Sequence, residues 1–255
     1  MESPSQPGVL YVVGTPIGNL EDITLRALRI LKEVATVAAE DTRHTQKLLA
    51  HYGLHAPLTS YHDFNKETKA AVLLARLREG ASIALVCDAG TPTISDPGYF
   101  LINQCIEAGV AVVPIPGPSA ILGALSASGL PTDRFHFEGF LPKTSGRLAK
   151  RLTALRDRRE TIVLFESPHR ILKTLKAIHE AWGNRPAVIA RELTKLHEEF
   201  LRGTLAQLIA ELERRPRRGE MTLLIGGLDR LSSVESSEER EESAIGPAIS
   251  PAADQ

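Results

Sequence analysis

The strongest constraint on this chain is the order of residues in Ile83–Gly98, which reads IALVCDAGTPTISDPG. An apolar run, Ile83–Cys87, stops on Asp88, and Ala89-Gly90-Thr91-Pro92 follows. A short apolar run bounded by turn residues predicts a strand buried on both faces, as in a parallel sheet. The Gly-Thr-Pro that follows fits only a loop. A second acidic turn, Ser95-Asp96-Pro97-Gly98, comes next, and Tyr99–Glu107 carries a helical pattern. Open α/β sheets bind ligands at the carboxyl ends of their strands, so Asp88 stands where such folds put their chemistry. Gly90 allows close backbone approach. An ordinary helix-capping loop accounts for the same spacing, and from spacing alone the two readings stand side by side.

The same punctuation recurs upstream and downstream. Val9–Val13 is strand-like and is broken by Gly14-Thr15-Pro16-Ile17-Gly18, with a helix expected over about Ile23–Glu33, capped by Asn19 or Asp22. The loop is Gly-x-x-x-Gly rather than Gly-x-Gly-x-x-Gly, and no Gly-Lys-Ser/Thr occurs, so it is not read as a phosphate cradle. Thr36–Ala39 is a second strand, followed by the polar run Glu40-Asp41-Thr42-Arg43-His44-Thr45, with Asp41 or Thr42 as helix cap. Lys66–Arg78 is an amphipathic helix, Val110–Pro114 a strand, and Pro116-Gly117-Pro118-Ser119-Ala120 a loop opening a helix to about Leu130. This alternation is that of an α/β domain with a mostly parallel sheet.

The second half alternates less regularly. Strands are expected at Arg134–Phe140, Thr161–Phe165, Ala187–Ala190, Glu198–Leu201 and Met221–Ile225, and helices end near Trp182 and Glu213. A boundary near Gly117 gives an N-terminal α/β domain over 8–117, a C-terminal one over 118–231, and a tail over 232–255. The tail carries −5 of the net charge of −1, leaving the body at +4, and its Ser/Glu-rich composition predicts disorder. Between Pro142 and Arg159 lie Lys143, Arg147, Lys150, Arg151, Arg156, Arg158 and Arg159. On a helix, Arg147, Lys150, Arg151 and Arg158 fall within an arc of about 100°, beside a leucine face. Such a helix is either a solvated surface or a face for a polyanion.

Other classes are disfavoured. The uncharged stretch 109–132 contains Pro114, Pro116 and Pro118 and cannot be one continuous membrane helix. Met1–Pro7 is polar and lacks the basic region of a signal peptide. The two cysteines, Cys87 and Cys105, lack metal-site spacing and fit reduced thiols in the cytoplasm. No histidine pair has the helical spacing of a metal site with an acidic partner, so no metal is expected.

Taken together, VVGTPIGNLEDIT, AEDTRHT, SYHDFN, DAGTPTISDPG, PIPGPSA, ASGLPTDRFHFEGFLP, FESPHR and ARELTKLHEEFLRGT resemble the ribosomal RNA small subunit methyltransferase I family, a branch of the tetrapyrrole methylase superfamily. The resemblance runs from about Gly8 to Gly226. It implies a two-domain tetrapyrrole-methylase-like fold with the cofactor cleft between domains. It also implies S-adenosylmethionine as cofactor, 2′-O-ribose methylation of a cytidine in the decoding region of small-subunit ribosomal RNA, and a homodimer. Carried residue by residue, cofactor positions fall on Pro16, on Asp88 with Gly90 and Thr91, on Ser119 and Ala120, and near Phe165, Leu193 and Thr222.

A ribose hydroxyl is a weak acid, so a base or a stabiliser of the developing alkoxide assists transfer. Asp41, His44 and Lys195 are the candidates, with Arg43 as a phosphate or alkoxide partner. Lys143, Arg147, Lys150, Arg151 and Arg158 are the candidate RNA contacts beyond it. Two rivals remain: a superfamily methylase acting on a tetrapyrrole precursor or a protein side chain, and an RNA-binding assembly factor without turnover.

Overall fold

The computed structural model describes residues 7–95 and 98–228. The expected acidic turn at Asp96-Pro97 and the acidic tail lie outside the described residues. The chain divides into two compact units, one made of residues up to Gly123 together with Leu193–His197, the other of Ala124–Glu192 and the residues from Glu198 onward.

In the first unit, five strands form a wholly parallel sheet: β1 (Val9–Val13), β2 (Thr36–Ala39), β3 (Leu58–Ser60), β4 (Ile83–Val86) and β5 (Ala111–Ile115), in the order β3-β2-β4-β1-β5. The helices are α1 (Leu25–Glu33), α2 (Thr42–His51), α3 (Lys66–Arg78) and α4 (Tyr99–Glu107). Successive strand residues feed opposite faces, as the pleat requires. Val37, Ala39, Ala84 and Val86 pack under α1 and α2, with Leu31 and Leu49. Leu10, Ala38, Ile83 and Leu85 pack under α3 and α4, with Leu77 and Leu101. The pair β2 and β4 is therefore a switch point, because the chain leaves β2 onto one face and β4 onto the other.

Two sequence readings shift here. Strand β3 is absent from the sequence reading: three half-buried residues carry too little pattern to be seen. Helix α1 is capped by Thr24, whose hydroxyl accepts from the Ala27 N–H, while Asn19 caps a short 3₁₀ turn at Leu20–Asp22. From Ser119 onward, α5 (Ala120–Ser128) runs on into the second unit.

The second unit holds a mixed sheet, β6 (Phe135–Phe140), β7 (Thr161–Glu166), β8 (Pro186–Arg191), β9 (Glu199–Thr204) and β10 (Met221–Ile225), ordered β6-β7-β10-β8-β9. Only β6 and β7 are parallel. Helices α6 (Ser145–Leu155), α7 (Ile171–Trp182) and α8 (Leu205–Arg214) share one core on one face of it, through Leu152, Leu175, Leu208, Leu164, Ile189 and Leu223. Helix α6 ends at Leu155, so Arg158 lies beyond the C-cap Arg156 and does not share the helical arc of Arg147, Lys150 and Arg151. Glu166, buried at the end of β7, accepts from the Ser167 N–H (2.8 Å) and the Thr174 hydroxyl (2.7 Å), and Arg170 donates to the Leu141 carbonyl (3.0 Å). The Phe-Glu-Ser-Pro-His-Arg segment is thus a rigid entry to α7.

Candidate active site

A wholly parallel sheet sends every strand-to-helix loop out of the same edge, so the five carboxyl-end loops of the first unit share it. Three of them are tied by their backbones. Thr15 and Gly90 form an antiparallel bridge, Thr15 N–H to Gly90 O (2.8 Å) and Gly90 N–H to Thr15 O (3.0 Å). The buried Thr15 hydroxyl also donates to the Cys87 carbonyl (3.2 Å). Gly14 N–H donates to Ile115 O (3.1 Å). A Cβ on Gly14 would stand 2.9 Å from the Gly117 Cα, and one on Gly117 would stand 2.9 Å from the Gly14 oxygen. The loops carrying Pro16, Asp88–Thr91 and Gly117–Ser119 therefore meet backbone to backbone. Gly90 has φ +82°, a conformation that only glycine adopts at low cost. Beyond Thr91, Thr93 and Ser95 hold left-handed φ values of 77° and 68°. Each costs ~1–3 kcal/mol, and such strain gathers at ligand-binding loops.

At the switch point, Asp88 spans the two diverging loops. Its Oδ1 accepts from the Asp41 N–H (3.0 Å), and its Oδ2 lies 3.4 Å from His44 Nδ1. Asp41 caps α2: its carboxylate accepts from the Arg43 N–H (2.8 Å) and from the Arg43 guanidinium at Nε (3.0 Å) and Nη2 (2.5 Å). The Arg43 side-chain hydrogen bonds, then its backbone N–H, hold the Asp41 carboxyl well below the usual carboxylate range. Asp41 is consequently ionised and weakly basic. Arg43 itself is 84% exposed and His44 56% exposed, both presented by the first turn of α2. The capping geometry sets their direction, since Asp41 fixes the start of the helix.

The remaining positions sort by unit. Pro16 and Thr91 are half-buried in the first unit, and Ser119, whose Oγ accepts from the Leu122 N–H (3.4 Å), starts α5 with half-buried Ala120. Leu193 and Lys195 belong to the short segment that joins the first unit, where it packs against Gly18 of the first glycine loop. Phe165 and Thr222 lie in the second unit and are direct partners across β7 and β10. Their neighbours Leu164 and Leu223 point to the helices, so Phe165 and Thr222 occupy the opposite face. Phe165 packs edge-on against Phe137 (5.0 Å) and beside Phe140 (5.7 Å).

The basic helix is not uniformly available to a polyanion. Arg151 makes a bidentate pair with Glu138, both contacts at 2.5 Å, and His136 Nε2 lies 2.9 Å from the same carboxylate. Burial pushes the Glu138 carboxyl up, but Arg151 and then His136 outweigh it and leave it below the usual glutamate value. Arg158 pairs with Glu160. Lys143, Arg147 and Lys150 are exposed and make no ion pair among the described residues. Sequence reasoning cannot see this partition, because Glu138 is on a strand and distant in sequence.

Sequence reasoning also missed Gly14, Gly117 and Gly18 as site-building residues. Their signal is three-dimensional: each lacks a side chain because another loop occupies the space. No group of three or more potential metal ligands occurs among the described residues. Among them, no helix is long and apolar enough to cross a membrane.

The pattern described as Tetrapyrrole (Corrin/Porphyrin) Methylases matches residues 9–209. A protein of Escherichia coli O157:H7 named ribosomal RNA small subunit methyltransferase I is 52% identical over 224 residues, covering 86% of this chain and 78% of that one. One of the same name from Halalkalibacterium halodurans is 50% identical over 220 residues, covering 86% and 76%. Among solved structures, uroporphyrin-III C-methyltransferase from Thermus thermophilus, complexed with S-adenyl homocysteine, superposes with a TM-score of 0.59 at 21% identity, covering 88% of this chain and all of that one.

Proposed function

Because the chain belongs to the ribosomal RNA small subunit methyltransferase I family of tetrapyrrole methylases, we propose that it methylates small-subunit ribosomal RNA with S-adenosylmethionine, at the 2′-hydroxyl of a cytidine in the decoding region. The single observation carrying the reading is half-identity to proteins of that name over most of their length. The geometry supports it. A cofactor without phosphate needs no Gly-x-Gly cradle; it needs close backbone approach and polar groups to hold ribose, adenine and amino acid. The Gly14, Gly90 and Gly117 loops offer such an approach, and Asp88, 39% exposed, offers a carboxylate. Pro16, Gly90, Thr91, Ser119 and Ala120, with Leu193, are the first-unit residues that would hold it; Phe165 and Thr222, in the second unit, are the remaining positions that the family resemblance implies.

Bound S-adenosylmethionine supplies an electrophilic methyl on a sulfonium. The protein's task is to hold the hydroxyl oxygen in line and to manage its proton; positioning alone supplies up to ~7–11 kcal/mol. His44 is the better proton acceptor of the first-turn pair, since Asp41 is committed to Arg43 and to the helix cap. Asp88 beside Nδ1 favours the tautomer that leaves Nε2 to accept, and offsets the imidazolium charge that follows. Lys195 stabilises developing negative charge on the oxygen. Arg43, exposed beyond its clamp, meets a flanking phosphate.

We further read the protein as a cytoplasmic homodimer. Tyr99 and Ile106, 74% and 61% exposed on one side of α4, suit self-association, which sedimentation tests. The decisive experiment is transfer of labelled methyl to small subunits lacking the modification. Label at one cytidine, with the linkage 3′ to it resistant to alkali, supports the reading. Label on a base or on protein, or none, overturns it.

A further inference from the structure

We propose that Gly18 is a positioning residue for Lys195, which in the active arm of the test rests on the methyl-transfer reading above. Residues Leu193–His197 belong to the first unit although β8 and β9, on either side in sequence, belong to the second. Within this segment Thr194 holds a left-handed φ of 66°, a conformation a β-branched residue keeps only when its surroundings impose it. The first glycine loop lies against it. A Cβ built on Gly18 would stand 2.4 Å from Lys195 Cγ, 2.9 Å from Thr194 Oγ1 and 3.0 Å from the Leu193 oxygen.

The glycine is not there for its backbone, because Gly18 is not among the positive-φ residues. It is there for space. The absent side chain is the seat that takes the Lys195 stem, and the contact at Cγ fixes where that stem runs. The seat is four residues from Gly14 and two from Pro16, on the loop bridged to Gly90. The Lys195 stem, from a part of the chain far away in sequence, is thus held against the first glycine loop.

Gly18→Ala is compatible with the local backbone and tests the seat by volume alone. Non-bonded carbons rest at ~3.5–4.0 Å, so Lys195 Cγ must retreat by about 1 Å, and a misplacement of that size costs about 100-fold in turnover. We expect kcat to fall by about that factor with KM for RNA and cofactor little changed. Lys195→Ala removes the Cγ and leaves only the closeness to Thr194 Oγ1 and the Leu193 oxygen, so Gly18→Ala added to it should cost far less than it does in the wild type.

A second readout needs no activity. In the protein without cofactor, reductive methylation followed by peptide mass analysis should show altered Lys195 reactivity in Gly18→Ala, with Lys150 unchanged. Gly146→Ala, whose Cβ meets nothing within 4 Å, is the control and should leave both alone. Wild-type turnover is measured first, so failure of the methyl-transfer reading is seen separately. Unaltered Lys195 reactivity in folded Gly18→Ala, or losses from Gly18→Ala and Lys195→Ala that multiply, overturns the proposal.

Discussion

Replacing the exposed pair of cations on α6 and its bound arginine in separate variants should separate RNA contact from internal structure. Arg147 and Lys150 are exposed and unpaired among the described residues, whereas Arg151 is bound at both nitrogens by Glu138. On single-stranded RNA each phosphate contact contributes roughly −0.7 to the slope of log affinity against log salt. If Arg147 and Lys150 both contact phosphate, Arg147→Gln with Lys150→Gln should make that slope shallower by about 1.4 units. Arg151→Gln should leave the slope alone and act on stability. It strips two charged hydrogen bonds from Glu138, whose side chain is 10% exposed, while Arg151 is 40% exposed and His136 remains. A charged hydrogen bond is worth ~1.5–3 kcal/mol, and solvent screening on the arginine side reduces the cost to about 1–2 kcal/mol. For a protein of this size that is roughly 2–8 °C in Tm. Fluorescence anisotropy over a salt series and a thermal melt give the two readouts. A slope that moves with Arg151→Gln but not with the Arg147/Lys150 pair would refute the partition of charges.

Asp88→Asn should keep the bond from the Asp41 N–H, remove the charge facing His44, and weaken cofactor binding about tenfold in calorimetric titration; unchanged affinity in the folded variant removes Asp88 from the site. Gly117→Ala places a Cβ 2.9 Å from the Gly14 oxygen and should cost ~1–3 kcal/mol, read as a lower Tm and weaker cofactor binding. Glu138 titrates lower in the folded protein than the ordinary 4.5, so its contribution is present above that value and fades as pH falls through the lower folded one. In Glu138→Gln that part of the acid dependence of Tm should vanish.

Much of the first unit was legible because its signals are local. Ile83–Val86, Thr36–Ala39 and Val9–Val13 are short apolar runs ended by polar or glycine loops, and each forms a central strand. Lys66–Arg78 and Tyr99–Glu107 form helices at the expected bounds, the first ending at the turn residues Glu79-Gly80 and the second starting after Gly98, although neither has a side-chain hydrogen bond at its N-cap. What failed is non-local. Strand β3 has three residues and exists by pairing with β2, a tertiary fact. Arg158 counts as part of a helix if periodicity alone is followed, yet the chain turns after Leu155, and its guanidinium goes to Glu160. Arg151 reads as a free cation until the strand carrying Glu138 is laid beside α6.

The framework of the candidate site fails to show itself in sequence for a related reason: it is backbone. Thr15 to Gly90, Gly14 to Ile115 and the Gly14–Gly117 contact tie three loops backbone to backbone, and the Thr15 hydroxyl adds a side-chain hydrogen bond. Residues chosen for having no side chain leave no chemical signature, only a glycine among many. The side chains that do carry chemical character, Asp41, Arg43 and His44, sit in or beside the first turn of one helix, where an N-cap already fixes their geometry. Division of labour follows. Backbone contacts set the spacing of the three loops, and a single capped helix end with Asp88 supplies polar groups at the same edge of the sheet. Substitutions in the two classes should therefore differ in kind. Added methyl groups at Gly14 or Gly117 widen the loops and act on fold and binding together, whereas neutral replacements at His44 or Arg43 leave those backbone contacts untouched and act on turnover or RNA affinity alone.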